Sequence, residues 1–343
     1  MPTKKQNVLV SAGGTATAWH LASLIRDRFE LYFNLYVCDI NPAHLIASSR
    51  LATQYVQVPR ADAPEFRSVM LELFRKFSID IYVPLVDADV YEFPADDHDL
   101  AGIGVRSTGV PRSMTEILSN KRRLSASLRR AGIATPRTFS SGEIFASTLD
   151  QFFVKPEEGF GSRDARPVDR DEALRVLEQN QGMLIQEFCR GPEITVEAFN
   201  GSCVKSICRE RIETKAGVCT KARIFADRAL QLLTERICAT FDMPIAFCFQ
   251  VMHGSNGEWL LTDLNPRLGA GTALSTEYGW SLAAASLACW GRLPLEPTQF
   301  ADFGNRPVRS AGIPGMPDGR LECVSAWTWM ERFSPAARGT SRR

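Results

Sequence analysis

The residues best suited to chemistry sit on one apparent hairpin. The apolar run Phe247–Met252 turns through Gly254-Ser255-Asn256-Gly257 into Trp259–Leu264, a strong hairpin signal. Gln250 lies on the first strand, and Asp263, Asn265 and Arg267 follow at alternate positions on and beyond the second. Alternate strand residues share a face, so a carboxylate, an amide oxygen and a guanidinium form one row that Gln250 can face. Mg²⁺ takes oxygen ligands, usually one or two from the protein with substrate phosphates completing the shell. The arginine beside it suits a phosphate. A solvated polar hairpin would use similar residues, but Pro266 and Gly269-Ala270-Gly271 end this strand in a specific, backbone-permissive turn.

A second candidate is Lys155-Pro156-Glu157-Glu158-Gly159-Phe160-Gly161-Ser162-Arg163. Its glycines and serine can turn backbone N–H groups toward phosphate oxygens, with Lys155 as a point charge. It lacks the GK[ST] of a P-loop, and taken alone it also fits an ordinary flexible turn. Lys121 is either a phosphate ligand or an exposed lysine at a helix start. Gln186-Glu187-Phe188 followed by Glu193 fits an adenine-and-ribose edge or two sheet strands with solvated acids. Arg209 and Arg211 flank Glu210 and share a face, where they can meet an anion or pair across a sheet. The four histidines have no metal spacing, and no Gly-x-Ser-x-Gly elbow is present.

These residues need a scaffold, and the sequence outlines one. Asn7–Val10, Leu35–Val37, Tyr55–Val58 and Ile79–Leu85 read as strands alternating with helical patterns, which predicts βαβ units and a parallel sheet. Gly13-Gly14 after the first strand and Asp39 after the second hint at a dinucleotide site. The full G-x-G-x-x-G is missing, and a purely architectural turn is the favoured reading. A helix is expected over Lys121–Ala131, capped by Ser119 or Asn120, with Leu124 and Leu128 inward and Gly132 and Pro136 ending it. Next come a strand at Phe152–Val154, a helix at Asp171–Gln179, strands Met183–Phe188 and Glu193–Phe199 split by a Gly191-Pro192 turn, and a helix at Arg228–Phe241. From about Phe333 the chain is rich in small, proline and arginine residues and is expected to fray.

Composition sets the class. The 343 residues suggest two or three domains, and an apolar fraction of 45% can build sizeable cores. A formal net charge of +1 gives no basic field for nucleic acid. The nine cysteines contain no CxxC pair and read as small buried hydrophobes. Neither a signal-peptide apolar region nor a bilayer-length apolar run is seen, so a cytoplasmic protein without membrane contact is expected.

The order of these signals carries a resemblance. Lys121, the Gly132–Pro136 turn, Val154-Lys155-Pro156 with its glycine loop, Ile185-Gln186-Glu187, Gly191-Pro192-Glu193, Arg209-Glu210-Arg211, Gln250 and Asp263-Leu264-Asn265-Pro266-Arg267 follow one another. Over about residues 5–295 this resembles the ATP-grasp superfamily, especially the synthetase halves of the carbamoyl-phosphate synthase large subunit and stand-alone carboxylate–amine ligases. The resemblance implies an α/β fold, α+β in its C-terminal part. A Rossmann-like domain (1–112) would precede a small or lid subdomain (113–190), a metal-bearing subdomain (191–300) and a partly disordered extension (301–343). It implies that Lys121 and Lys155 contact ATP phosphates under a lid loop of Gly159, Gly161 and Ser162. Glu187 with Phe188 and Cys189 would hold adenine, and Glu193 the ribose. Gln250, Asp263 and Asn265 would ligate Mg²⁺, or Mn²⁺ in its place, with Arg267, Arg211 and Arg209 at the anionic centre. The implied reaction joins a small-molecule carboxylate to an amine through an acyl phosphate. Release of a carbamoyl or other acyl phosphate, and a non-catalytic ATP-binding module, are the alternatives. A homodimer is the default assembly. The family usually has Glu at the position of Asp263 and often an acid at that of Gln250; the carbamoyl-phosphate branch resembles this chain in using Gln.

Overall fold

The computed structural model describes residues 4–159, 164–179, 182–215, 218–254, 256–294 and 321–323. Gly161 and Ser162 therefore lie outside the described residues, as does most of the expected extension over 301–343. The first layer runs β1 (Gln6–Val10), α1 (Ala16–Arg28), β2 (Phe33–Asp39), β3 (Gln54–Gln57), α2 (Phe66–Lys76), β4 (Ile81–Val83), α3 (Asp87–Glu92), α4 (His98–Gly102) and β5 (Arg106–Ser107). Its five strands are parallel in the order β3-β2-β1-β4-β5. Val8, Leu9 and Val10 on β1 are fully buried, as befits a central parallel strand covered on both faces. The parallel sheet was expected from the alternating apolar runs. The Gly13-Gly14 turn is locked by Asp39, whose Oδ2 accepts the Gly14 N–H at 2.8 Å.

Next come α5 (Arg112–Leu118), α6 (Lys121–Arg130) and α7 (Ser141–Ala146). Asn120 caps α6 by accepting the N–H groups of Arg122 and Arg123. Gly132, at φ +68°, provides the left-handed residue just past its end. The sequence reading missed α7, although Ser140 and Glu143 form a capping box that signals its start. A small antiparallel sheet follows, built from β6 (Gln151–Pro156), β7 (Arg166–Asp169) and, after α8 (Arg170–Gln179), β8 (Met183–Glu187), in the order β7-β6-β8. Its core holds Phe139, Ile144, Phe152, Val154, Val168, Ala173 and Ile185. Leu118, Leu124 and Leu128 instead pack with Ile194, Val196, Phe247 and Phe249 of the sheet that follows. The small sheet's own core thus begins near Phe139, because the apolar face of α6 turns toward the larger sheet.

That sheet comprises β9 (Arg190–Asn200), β10 (Val204–Lys215), β11 (Val218–Phe225), β12 (Ala246–His253), β13 (Trp259–Asn265) and β14 (Leu321–Cys323), in the order β13-β12-β9-β10-β11-β14. Helices α9 (Arg228–Thr240), α10 (Thr272–Ser275) and α11 (Leu282–Trp290) complete the described chain. The turn expected at Gly191-Pro192 is a correction: both residues lie inside β9, and the chain breaks at Phe188-Cys189. Gly191 adopts φ +102°, and the β9–β12 register shifts between Val251 and His253, so the local ladder is irregular where proline cannot donate. One apolar core joins Val8, Val10 and Leu21 to Phe199, Ile224, Trp280 and Leu287, welding the parallel layer to the larger sheet through α11. No disulfide is recorded among eight of the cysteines, and burial pushes the Cys208 thiol up to about 12. Among the described residues, no helix is long and apolar enough to cross a membrane.

Candidate active site

The β12–β13 pairing sets Gln250 directly opposite Asp263. Asn265 Nδ2 donates to Asp263 Oδ2 at 3.0 Å, and its Oδ1 accepts from Arg267 Nη2 at 3.3 Å. The alternate-residue row read from sequence is therefore assembled as a hydrogen-bonded chain. Lys155 reaches it from β6: its Nζ donates to the carbonyl of Thr262 at 3.0 Å. Burial and the nearby Lys121 pull this ammonium down to about 8, against the opposing pull of Asp263.

Lys121 sits where α6 meets the loop after β6. Its backbone N–H donates to Glu157 O at 2.8 Å and its Nζ to Gly159 O at 2.9 Å. An Arg122–Glu157 ion pair reinforces this contact. Gly159 itself is held at φ +106°, a conformation glycine adopts without strain. Two lysines, 34 positions apart by number (155 − 121), thus converge on one loop base.

Glu187 ends β8, and Phe188 and Cys189 follow it. The Glu187 backbone N–H donates to Arg137 O at 2.9 Å, and its carboxylate accepts the Arg137 N–H at 2.8 Å. Its side chain is thereby engaged with backbone rather than extended. The thiol of Cys189 is buried and pushed up to about 11, with Lys155 among its electrostatic neighbours. Glu193 pairs with Arg211 at 2.9 Å. The Gln250 amide bridges the two when its NH₂ donates to Glu193 Oε1 at 2.9 Å and its oxygen accepts from Arg211 Nη1 at 3.2 Å. Gln250 is thus tied toward β9 and β10 as well as facing Asp263.

Arg209, expected from sequence at the anionic centre, lies deeper than Arg211. Its side chain is 3% exposed and pairs at 2.8 Å with Glu197, itself fully buried. Alternation along β10 was read rightly, but burial depth separates Arg209 from Arg211 and is not written in a strand's period.

Three partners escaped the sequence reading. Glu197 falls two strand steps beyond Glu193 on the same face, a signal that alternation could have supplied. Thr272 Oγ1 lies 2.8 Å from Glu197 Oε2. Asp87, the first residue of α3 and just past the turn after β4, accepts from Arg267 Nη2 at 2.8 Å. Its place at the carboxyl end of a parallel strand, where such sheets bind ligands, was the available clue. Nearby, burial pushes the Asp89 carboxyl up to about 6.

The Asp87–Arg267 pair yields a stability prediction. Both side chains are largely buried, at 8% and 18% exposure. Asp87→Asn strands a guanidinium and should cost about 3 kcal/mol. Urea denaturation of the variant and parent reads this directly; an unchanged midpoint would refute the pair's importance.

As to metals, the described residues contain no cluster of three or more His, Cys, Asp and Glu side chains able to hold an ion. What they offer is one carboxylate, Asp263, with amide oxygens on Asn265 and Gln250. That donor set fits a hard divalent ion whose remaining ligands come from phosphate and water.

Comparison with known proteins bears on the fold. Residues 118–271 match the family model described as an ATP-grasp domain. No curated protein matches the chain in sequence. Among solved structures, the chain is similar to an L-amino acid ligase from Bacillus licheniformis, at 17% identity and TM-score 0.65, covering 87% of this chain and 77% of that one. An N5-carboxyaminoimidazole synthetase from Staphylococcus aureus complexed with ADP aligns at 13% identity and TM-score 0.65, covering 87% and 80%. The biotin carboxylase domain of a Hydrogenobacter thermophilus 2-oxoglutarate carboxylase, in complex with MgADP, ADP and bicarbonate, aligns at 14% identity and TM-score 0.67, covering 86% and 72%. At these identities the likeness establishes the fold.

Proposed function

We propose that this chain, which carries an ATP-grasp domain over residues 118–271, is an ATP- and Mg²⁺-dependent ligase joining a small-molecule carboxylate to an amine through an acyl phosphate. The observation that carries the reading is the convergence of Lys155 on the strand of Asp263. A cationic group from the small sheet bonds the Thr262 carbonyl, next to Asp263 on the large one, although 107 positions separate the two. Phosphoryl transfer needs such positioning and charge neutralisation more than covalent help from the protein.

Lys155 and Lys121 supply positive charge for the nucleotide phosphates. Asp263 and Asn265 would hold Mg²⁺, with Gln250 facing them; the bound ion would neutralise phosphate charge. Arg267 and Arg211 bring guanidinium groups to the anionic centre. A substrate carboxylate oxygen attacks the γ-phosphorus and ADP departs; the amine nitrogen then attacks the acyl carbon and inorganic phosphate leaves. The N-terminal parallel sheet frames the acceptor, since Asp87 reaches Arg267 from its carboxyl edge. Named ligases among the solved structures support the C–N bond-forming class.

A second reading has one observation in its favour. Gln250 is tied to Glu193 and Arg211, and the described residues hold no cluster of three or more His, Cys, Asp and Glu side chains, which also suits a nucleotide-binding module without turnover. ADP release with Mg-ATP and pooled carboxylates, with and without pooled amines, tells these apart. Release that requires both pools is the expected result. Release with carboxylates alone would indicate a free acyl-phosphate product. Tight Mg-ATP binding with no release from any pool would favour the silent module.

A further inference from the structure

Beyond Arg267 the chain enters Leu268-Gly269-Ala270-Gly271-Thr272, which lies directly on the buried pair Glu197–Arg209. Added to Gly271, a Cβ would stand 2.3–2.5 Å from the Arg209 guanidinium; added to Gly269, it would stand 2.7 Å from Glu197 Oε1. A side chain at either position would therefore have to displace one member of the pair. The Thr272 hydroxyl sits 2.8 Å from Glu197 Oε2 and 2.8 Å from the Gly269 carbonyl. Thr17 of α1 donates to that same carbonyl at 2.8 Å. The segment is thus held from below by the ion pair, from one side by α1, and at its start by the Asp87–Arg267 contact.

Such a pair is a poor means of gaining stability. Desolvating two charges offsets most of their attraction, and apolar replacements of similar volume are often neutral or stabilising. What a buried pair does supply is a fixed direction: the planar guanidinium and the carboxylate each admit few neighbours. We infer that Glu197 and Arg209 are positioning residues that hold the Gly269–Thr272 loop, and through it Arg267, in register for phosphoryl transfer. They touch no substrate. This inference rests on the proposed ligase reading for its kinetic part alone.

Three variants test it. Glu197→Gln should lower kcat about 30- to 100-fold while the KM for ATP stays within about twofold, the mark of lost alignment rather than lost binding. The double variant Glu197→Leu/Arg209→Met should keep a melting temperature near the parent's yet remain as slow as Glu197→Gln. Amide hydrogen exchange over residues 267–272 should accelerate about tenfold or more in both, with β9 still protected. Exchange needs no turnover, so a parent that releases no ADP would count against the ligase and leave the clamp testable. A double variant that regains kcat along with its stability would overturn the inference. So would an Arg209→Lys variant that raised the carboxylate KM at unchanged kcat, since that is the signature of substrate contact. Unchanged exchange in the loop would overturn it as well.

Discussion

Asp263→Ala should reduce ADP formation by about 10³-fold or more while leaving the protein folded. Asp263 is the single carboxylate in a row otherwise made of amides and guanidinium groups. Removing it leaves Asn265 and Gln250 as neutral donors, with the Lys155 and Arg267 charges facing no anion from β13. Charge stabilisation at a transferring phosphoryl group is worth several kcal/mol, and about 4 kcal/mol corresponds to roughly 10³ in rate. Stability should change little, because Asp263 is half-buried on the edge strand β13, where it accepts a hydrogen bond from Asn265. Asp263→Asn keeps the shape and removes the charge, and should be nearly as slow. Asp263→Glu keeps the charge one methylene further out and should retain part of the activity. Initial rates of ADP release with melting curves on all three decide the matter. Parental turnover in Asp263→Ala would end the assignment of this carboxylate to the site.

Much of this row was legible because strand chemistry is local. Gln250 and Asp263 face each other because the register set by the Gly-containing turn shifts by one residue at Thr262, a bulge that the apolar pattern does not announce; Asn265 and Arg267 then follow by period two. The parallel sheet was legible for the same reason, from apolar runs alternating with helical spacing. Lys121 and Lys155 became readable as a pair through a resemblance, not through their own surroundings: an isolated lysine at a helix start says nothing of the loop it will touch. Asp87 shows the limit. It meets Arg267 across 180 positions, and nothing local to Val86-Asp87-Ala88 names that partner. Arg209 shows another. Alternation puts it on the face of Arg211, yet one side chain is sealed beneath the Gly269–Thr272 loop and the other meets Gln250 and Glu193. Depth depends on which loop crosses the sheet, and that is decided by tertiary packing.

The site also joins all three sheets. Lys155 belongs to the small sheet, Asp263 to the large one and Asp87 to the start of α3, at the carboxyl end of a parallel strand. Arg267 is bonded both to Asp87 and to Asn265, so the docking of the first layer sets the guanidinium's direction. A substitution that loosens that docking should act on kcat without touching the nucleotide.

Lys155→Met should weaken ADP binding about 10- to 100-fold and, at pH 7, raise the melting temperature of the nucleotide-free protein. The first effect is the loss of a charged contact to phosphate, worth about 1.5–3 kcal/mol. The second follows from the ammonium's own cost. Burial holds Lys155 near a pKa of about 8 in the folded chain, whereas an unfolded lysine titrates near 10.4. Between those values the unfolded chain binds more protons than the folded one, so parental stability rises with pH across that window. At pH 7 the full cost of the buried charge is present, and methionine removes it. Phosphate binding has the opposite sign. It favours the charged amine, so metal-free ADP affinity should be highest below pH 8 and fall as pH rises, approaching tenfold per unit. Calorimetric titration of ADP in chelator between pH 7 and 9.5, with melting curves over the same range, reads both slopes. In Lys155→Met both should flatten. A parental affinity indifferent to pH across 8 would mean that Lys155 does not meet the phosphates.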